Sequence, residues 1–293
     1  FIDGSIRTYF LGTGIEGNRS FPIELAQVGA ALIKREDDGK IKVAQQRQKV
    51  LLLLPKQNQG VSDTLWAELN KLIKPEWLDL VDFTIPDRLS ENRSDPRDKA
   101  GAKARAYMHS LEIELIKYTD QFRNINSWLI LDGSVKFVEE EIWNSWKSSP
   151  YLIGVAKSFR KDPVFQFGRR ASQKKDISSI LAGLPCAHRT VAFSTFDDKV
   201  GFWYVRIREQ RNVDYPLMGV IKVEMPRPNK ELIDAEIADL LSSALVAERN
   251  VTPYGLDRRW HCCLYPIHIA EQAIKNKFYS KEVILGSIRW PIP

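Results

Sequence analysis

Trp128-Leu129-Ile130-Leu131-Asp132-Gly133-Ser134, residues 128–134, decides the fold of this chain. Its apolar half predicts a buried strand, and the aspartate stands where that strand gives way to a glycine turn. The same triplet occurs as Asp3-Gly4-Ser5, behind Phe1-Ile2. An acid at a strand end points into the crevice where open α/β sheets place their chemistry. Each copy alone is more typical of an ordinary turn than of a functional site, but the pair predicts one shared site.

Length and composition are those of a globular protein. The 293 residues are 44% hydrophobic and 27% charged, which suits one elaborated α/β domain. No apolar stretch reaches the roughly 20 residues that cross a bilayer, so we expect a soluble protein with no membrane partner. Three cysteines cannot build a disulfide framework, which favours the cytoplasm. The chain begins at Phe1 without methionine, and we expect the natural protein to extend further upstream.

The net charge of +6 favours a polyanionic partner. Basic residues, interleaved with aromatic ones, cluster at 93–105, 157–161, 169–175 and 206–211. Basic grooves with stacking surfaces suit single-stranded nucleic acid. Each cluster taken alone is equally consistent with a solvated loop or helix face.

The order of predicted elements indicates the fold class. Strands are expected at 2–10, 23–34 and 41–54, helices at 62–72 and 102–118, a strand at 128–131, a helix at 135–146 and a strand at 151–155. Further strands over 189–223 and helices at 230–247 and 267–277 follow. Three strands, helix, strand, helix, strand is the order of the ribonuclease H fold. We therefore predict a single α/β domain over 1–293, a ribonuclease H-like core with a mixed central sheet flanked by helices.

A glycine-rich segment offers a rival interpretation. Gly12-Thr13-Gly14-Ile15-Glu16-Gly17 matches the dinucleotide-binding pattern, which would make the protein a dinucleotide-dependent enzyme. Pro22 and a strand-like run follow it, whereas such a site needs a helix N-terminus to receive the pyrophosphate. We therefore expect the segment to be a turn.

A glutamate on the long central helix is the third candidate acid. Ala104, Met108, Leu111 and Leu115 form an apolar stripe at helical spacing, and Glu112 lies on its flank. Glu112 is one turn from both Met108 and Leu115, which favours it slightly over Glu114; the choice stays open.

Asp3, Glu112 and Asp132 occupy the positions at which ribonuclease H-like nucleases carry their acids. Cleavage of a phosphodiester by such enzymes uses two divalent cations about 4 Å apart, one for the attacking water and one for the leaving oxygen. Clustered carboxylates supply the hard oxygen ligands that these cations prefer.

The chain resembles the NurA nucleases of DNA end processing. Their pattern is an N-terminal Asp-Gly-Ser, a helical glutamate and a central Leu-Asp-Gly-Ser, matched by Asp3-Gly4-Ser5, Glu112 and Leu131-Asp132-Gly133-Ser134. A strand with glycine, a small turn and lysine is matched by Ile153-Gly154-Val155-Ala156-Lys157-Ser158, and Tyr-Pro before a helix by Tyr265-Pro266. The resemblance spans almost the whole chain.

The resemblance implies roles for these residues. Asp3, Glu112 and Asp132 would bind Mn2+ or Mg2+, and Lys157 would contact a phosphate or orient the attacking water. The family places a histidine about two helical turns after the tyrosine, where this chain has Gln272.

Two residues near Gln272 could replace that histidine. His268 lies one turn earlier on the same helical face and could supply the imidazole as a metal ligand, completing the site with Tyr265. Glu271 is an alternative oxygen donor, and a purely structural His268 is the other interpretation.

The implied function is a metal-dependent deoxyribonuclease, a 5'-3' exonuclease and single-strand endonuclease that cuts single strands and degrades duplex ends. Such proteins work as homodimers with a hexameric HerA-type ATPase, and this chain has no Walker sequence, so any motor would be another chain. The alternative is a catalytically weak DNA-binding adaptor subunit of a translocase complex, which the missing histidine favours.

Overall fold

The computed structural model describes residues 1–56, 60–72, 77–83, 96–135, 146–147, 149–159, 164–166, 174–194, 199–210, 214–250 and 258–288. The strands in these ranges are β1 (Ile2–Glu16), β2 (Arg19–Arg35), β3 (Ile41–Leu54), β4 (Leu78–Asp82), β5 (Leu129–Asp132), β6 (Leu152–Ala156), β7 (Val164–Gln166), β8 (Lys174–Asp176), β9 (Phe193–Ser194), β10 (Val200–Arg206) and β11 (Val220–Pro226). The α-helices are α1 (Asp63–Leu72), α2 (Pro96–Thr119), α3 (Ile177–Ala182), α4 (Ala235–Ala247), α5 (Tyr265–Lys275) and α6 (Lys281–Ser287), with a 3-10 helix at Arg258–Cys262.

The protein is α/β, with a large mixed β-sheet flanked by helices. Its contacts divide the chain into two compact units that interleave along the sequence. Unit 1 comprises residues 1–2, 33–42 and 116–269, and unit 2 comprises 3–32, 43–115 and 270–293. None of the described helices is both long and apolar enough to span a membrane.

Unit 1 has a mixed sheet. The start of β1 runs parallel to β5, and β5 runs parallel to β6. The strands β6, β11, β10 and β9 then pair antiparallel in that order. One face of this sheet carries an apolar cluster, in which Ile130 and Val155 pack with Leu241 of α4 and Ile267 of α5. The helices predicted at 230–247 and 267–277 exist because they cover this face, but with other bounds: α4 begins at Ala235, and α5 is Tyr265–Lys275.

Unit 2 has the strand order β4, β3, β2, β1, with β3 parallel to β4. The run Val50–Leu54 is fully buried, as its composition predicts. Along α2, Ala104, Leu111 and Leu115 are buried, which confirms the apolar stripe that the sequence indicated. β4 was not predicted, because its sequence, Leu78–Asp82, alternates apolar and acidic residues over a short length.

Two local predictions are wrong and one is confirmed. Asp3-Gly4-Ser5 does not form a turn: β1 continues through it to Glu16. The predicted turn over 12–20 is shorter, because β1 contains most of the glycine-rich segment and only Gly17 and Asn18 turn the chain. That segment is followed by β2 and not by a helix, so it lacks the helix N-terminus of a dinucleotide site, as expected. Most of the helix predicted at 135–146 falls outside the described residues.

Candidate functional site

The turn after β5 carries the central acid. Asp132 is the last residue of β5, and Gly133 follows with a φ of +108°, a conformation that favours glycine. The Gly133 amide donates to the carbonyl of Val155 at 2.8 Å. The sequence Leu-Asp-Gly-Ser thus ends the strand where it was predicted to end, and a backbone hydrogen bond to β6 fixes the turn.

Lys157 lies beside Asp132. Its ammonium is 2.9 Å from Asp132 Oδ2, and both side chains are largely covered, with 18% and 25% exposed. The two strands bring them together, because Asp132 pairs with Val155, two residues before Lys157. Alternate strand residues share a face, so this ion pair lies on the face of the apolar cluster, just beyond Ile130 and Val155. The pair can bind or position an anionic group at the edge of the sheet.

Asp3 follows the residue that pairs with β5. Ile2 pairs in parallel with Leu131, and Asp3 and Asp132 are the next residues of the two strands. Asp3 is buried, with 8% exposed. By alternation its side chain points to the face of β1 opposite to that of Gly4.

Glu112 meets β1 at Gly4. A Cβ at Gly4 would lie only 2.6 Å from Glu112 Oε1 and 2.8 Å from Met108 Cγ, so the missing side chain makes room for α2. A side chain at Gly4 would point away from Asp3, so Glu112 approaches β1 on the face opposite to Asp3. Glu114 is 57% exposed and lies 4.0 Å from Arg47, whereas Glu112 is 16% exposed. The geometry therefore places Glu112, rather than Glu114, against β1.

Glu112 is held by a histidine on its own helix. His109 Nδ1 lies 2.7 Å from Glu112 Oε2. This hydrogen bond raises the pKa of His109 above its ordinary value of 6.5, although partial burial acts in the opposite direction. The sequence held this signal, because residues three apart on a helix face each other, but the pair was not predicted.

The C-terminal candidates lie on α5. Tyr265 is the first residue of the helix and is 44% exposed. The His268 ring packs edge-on against Trp260 at 5.1 Å between centroids. Its Nδ1 is buried, and no hydrogen-bond partner for it occurs in the described part of the chain. Glu271 is paired with Lys275 at 2.5 Å, so His268 is the better available ligand on this helix.

No group of three or more histidine, cysteine, aspartate or glutamate side chains among the described residues is arranged to hold a metal ion. Asp3, Glu112 and Asp132 all belong to the described residues. Glu112 is bonded to His109 and Asp132 to Lys157. The carboxylates are the right donor type for Mg2+ or Mn2+, but they are not assembled into a ready coordination shell.

A buried glutamate that the sequence analysis missed holds the turn after Asp132. Glu224 on β11 is 2% exposed. Its Oε2 accepts from the Ser134 hydroxyl at 2.5 Å and from the Val135 amide at 3.1 Å, and its Oε1 accepts from Lys222 at 2.6 Å. The signal was a lone acid within the apolar strand Val220–Pro226, but nothing local pointed to a turn so far away in sequence.

The basic segment at 206–211 is not an exposed patch in its described part. Arg206 is 1% exposed, and its guanidinium donates to backbone carbonyls that include Leu181, Leu184 and Met218. The Arg208 guanidinium donates to the carbonyls of Asn250 and His261. Both arginines have a structural role, because their guanidinium groups donate to backbone carbonyls of the protein itself. The segment 169–175 lies outside the residues whose side chains are described.

No protein-family model and no curated protein matches this chain.

Proposed function

We propose that the protein is a metal-dependent deoxyribonuclease similar to the NurA family, built on a ribonuclease H-like core. The order of three strands, the long helix α2 and then β5 and β6 supports this assignment, with α1 and β4 inserted between β3 and α2. β1 neighbours β2 on one side and β5 on the other, with β1, β5 and β6 parallel, as a ribonuclease H-like core requires.

One observation carries the proposal. The parallel pairing of Ile2 with Leu131 makes Asp3 and Asp132 the next residues of two adjacent strands. Aspartates in this sequence relation suit a divalent cation, because it prefers carboxylate oxygens.

The cation would be Mn2+ or Mg2+, held by Asp3, Glu112 and Asp132, with His268 as an imidazole ligand. When bound, it supplies positive charge that activates water and stabilises the leaving oxygen. Carboxylate oxygens and an unpartnered buried imidazole nitrogen fit such an ion. Binding would need Glu112 to leave His109 and Asp132 to leave Lys157.

Lys157 would then contact the phosphate. Its ammonium is already within 2.9 Å of Asp132, so a phosphate at this edge would meet a cation that needs little reorganisation. Tyr265, exposed at the start of α5, would complete the site with a hydroxyl donor.

The substrate would be DNA, as single strands and duplex ends, and the 5'-3' exonuclease and single-strand endonuclease activities come from the resemblance alone. A net charge of +6 supports a polyanionic ligand. A homodimer, a hexameric HerA-type ATPase partner, DNA end processing and a cytoplasmic location complete the proposal on the same basis.

A second function is favoured by a specific observation. Among the described residues no metal-binding group of three is preassembled, and Gln272 stands where the family carries histidine. A catalytically weak DNA-binding adaptor of a translocase complex would keep the fold and lose the metal shell.

One assay separates the two functions. The protein is incubated with end-labelled single-stranded and duplex DNA in Mn2+ or in chelator, beside Asp132→Asn and Asp79→Asn. Asp79 also pairs with a lysine, Lys49 at 3.1 Å, but on β4. If the protein is a nuclease, it cuts DNA only in the presence of metal. Asp132→Asn then loses this activity, whereas Asp79→Asn keeps it. Binding of DNA without metal-dependent cutting would establish the adaptor.

A further inference from the structure

The turn of Gly133, Ser134 and Val135 contacts the carboxylate of Glu224 and the backbone of Gly154. Glu224 binds the Ser134 hydroxyl and the Val135 amide from β11. On β6, Gly154 pairs with Glu224 and has no side chain to displace the turn. A Cβ there would lie 2.6 Å from the Gly133 carbonyl oxygen and 3.0 Å from the Val135 nitrogen.

Glu224 reaches the turn from the face opposite to Asp132. Its neighbour Val223 belongs to the apolar cluster that also contains Val155, the partner of Asp132 in register. Successive strand residues point to opposite faces, so Glu224 and Asp132 lie on different sides of the sheet. Glu224 can therefore fix the backbone that follows Asp132 without occupying the place of a substrate.

The negative charge of Glu224 is balanced by a neighbouring lysine. A buried carboxylate without partners is costly, but Lys222 pairs with it at 2.6 Å and two turn donors satisfy its other oxygen. The Lys222 ammonium also lies 4.4 Å from the centre of the Phe202 ring. Such a satisfied network holds one geometry rigidly.

We propose that Glu224 is a positioning residue for Asp132: by holding Ser134 and Val135 it sets the direction of the Asp132 carboxylate toward cation and phosphate. The inference rests on the proposed nuclease function. Residues that orient a metal ligand typically contribute about 10-fold to 100-fold to metal affinity or activity.

The test compares Glu224→Ala, Glu224→Gln and Ser134→Ala with Asp239→Asn. Asp239 serves as the control because, like Glu224, it pairs with a largely covered basic residue. Its partner is Arg189 at 2.6 Å, and Asp239 lies on α4. Three measurements are made: the affinity for Mn2+ by calorimetry, the kinetics of single-stranded DNA cleavage (kcat and KM), and hydrogen exchange at the Val135 amide.

We expect Glu224→Ala to weaken Mn2+ binding and lower kcat by about 10-fold or more, with KM for DNA little changed. The Val135 amide exchanges faster, and Glu224→Gln, which keeps one acceptor oxygen, lies nearer the parent. Asp239→Asn matches the parent in all three. If Glu224→Ala fails to fold, Glu224→Gln and Ser134→Ala show the same loss to a smaller extent.

Faster exchange at Val135 with normal kcat and Mn2+ affinity would overturn the inference, because Glu224 would then be structural only, while the nuclease would stand. A parent that binds Mn2+ without cutting DNA overturns the proposed function, and the Mn2+ affinities of the variants still decide the role of Glu224. A parent that binds no Mn2+ overturns both.

Discussion

The Lys157 ammonium lies 2.9 Å from the Asp132 carboxylate, at the edge where β5 ends. If the protein is the nuclease that we propose, a cation would replace this lysine at Asp132 and the Lys157 ammonium would contact the phosphate. Metal and substrate would then open this ion pair together.

Asp132→Asn should abolish cleavage and keep the fold, because it removes charge but preserves shape at a strand end. We expect the rate to fall by more than about 100-fold, beyond the effect of losing a residue that only supports a ligand. Asp3→Asn should behave alike. Initial rates on labelled single-stranded DNA in Mn2+, with circular dichroism for the fold, measure both. Asp79→Asn is the control, and cutting at the parent rate by Asp132→Asn would contradict the assignment.

Metal binding should strengthen as pH rises through the raised pKa of His109. When folding raises the pKa of a group, its protonated form stabilises the folded protein. This stabilisation is complete at pH values below the ordinary pKa, 6.5 for His109, and is lost as the pH rises through the raised pKa of the folded state. Protonated His109 thus holds Glu112 most firmly in acid, and the proton must leave before Glu112 is released. The positive charge of the nearby Arg105 lowers the pKa of His109, which narrows the pH range over which protonated His109 holds Glu112.

Calorimetric titration with Mn2+ between about pH 5.5 and 8.5 checks this, because histidines ordinarily change charge near neutral pH. His109→Asn should bind Mn2+ with a flatter pH profile, whereas His188→Asn, at an exposed histidine in the loop after α3, should keep the profile of the parent. Equal slopes in parent and His109→Asn would show that Glu112 does not bind the cation.

Gly154→Ala should destabilise the fold and displace the turn after Asp132. The added Cβ would lie 2.6 Å from the Gly133 oxygen, and crowding of this kind costs about 1–3 kcal/mol. Urea unfolding measures the loss. Gly286→Ala in α6 is the control, since nothing lies within 4 Å of its Cβ and alanine favours a helix. A Gly154→Ala protein as stable as the parent would mean that the turn is not tightly packed.

The elements that could be predicted from the sequence are those with a regular pattern of apolar residues. The run Leu129–Leu131 is buried on both faces of its strand and the stripe of α2 buries one face, so a continuous apolar run located the first and helical periodicity the second. Asp3 was placed at a turn because Asp-Gly-Ser resembles one, but pairing with neighbouring strands extends β1 through the triplet. Glu224 could not be identified, because its partners Ser134 and Val135 are reached only when β11 pairs beside β6.

Arg206→Met should lower stability and leave DNA affinity unchanged, contrary to the interpretation of 206–211 as a binding patch. Arg206 satisfies several buried carbonyls, and their loss of a charged donor costs about 3 kcal/mol. Urea unfolding and fluorescence anisotropy with single-stranded DNA separate the two effects. If Arg206→Met stays folded but binds DNA more weakly and with a smaller salt dependence, Arg206 contributes to DNA binding by electrostatics after all.

His268 tests whether the metal shell includes an imidazole. His268→Phe keeps a ring against Trp260 and removes the nitrogen atoms, so it should lower cleavage and Mn2+ affinity together without loss of stability, whereas His268→Ala also loses the ring contact. Gln272→His, one helical turn further on the same face, should restore part of the activity in the His268→Phe background. Cleavage rates and calorimetric Mn2+ titrations of the single and double variants measure this. If His268→Phe cuts DNA with the metal dependence of the parent, the imidazole packs against Trp260 for structure alone, the cation is held by carboxylates, and Glu271 becomes the next residue to replace.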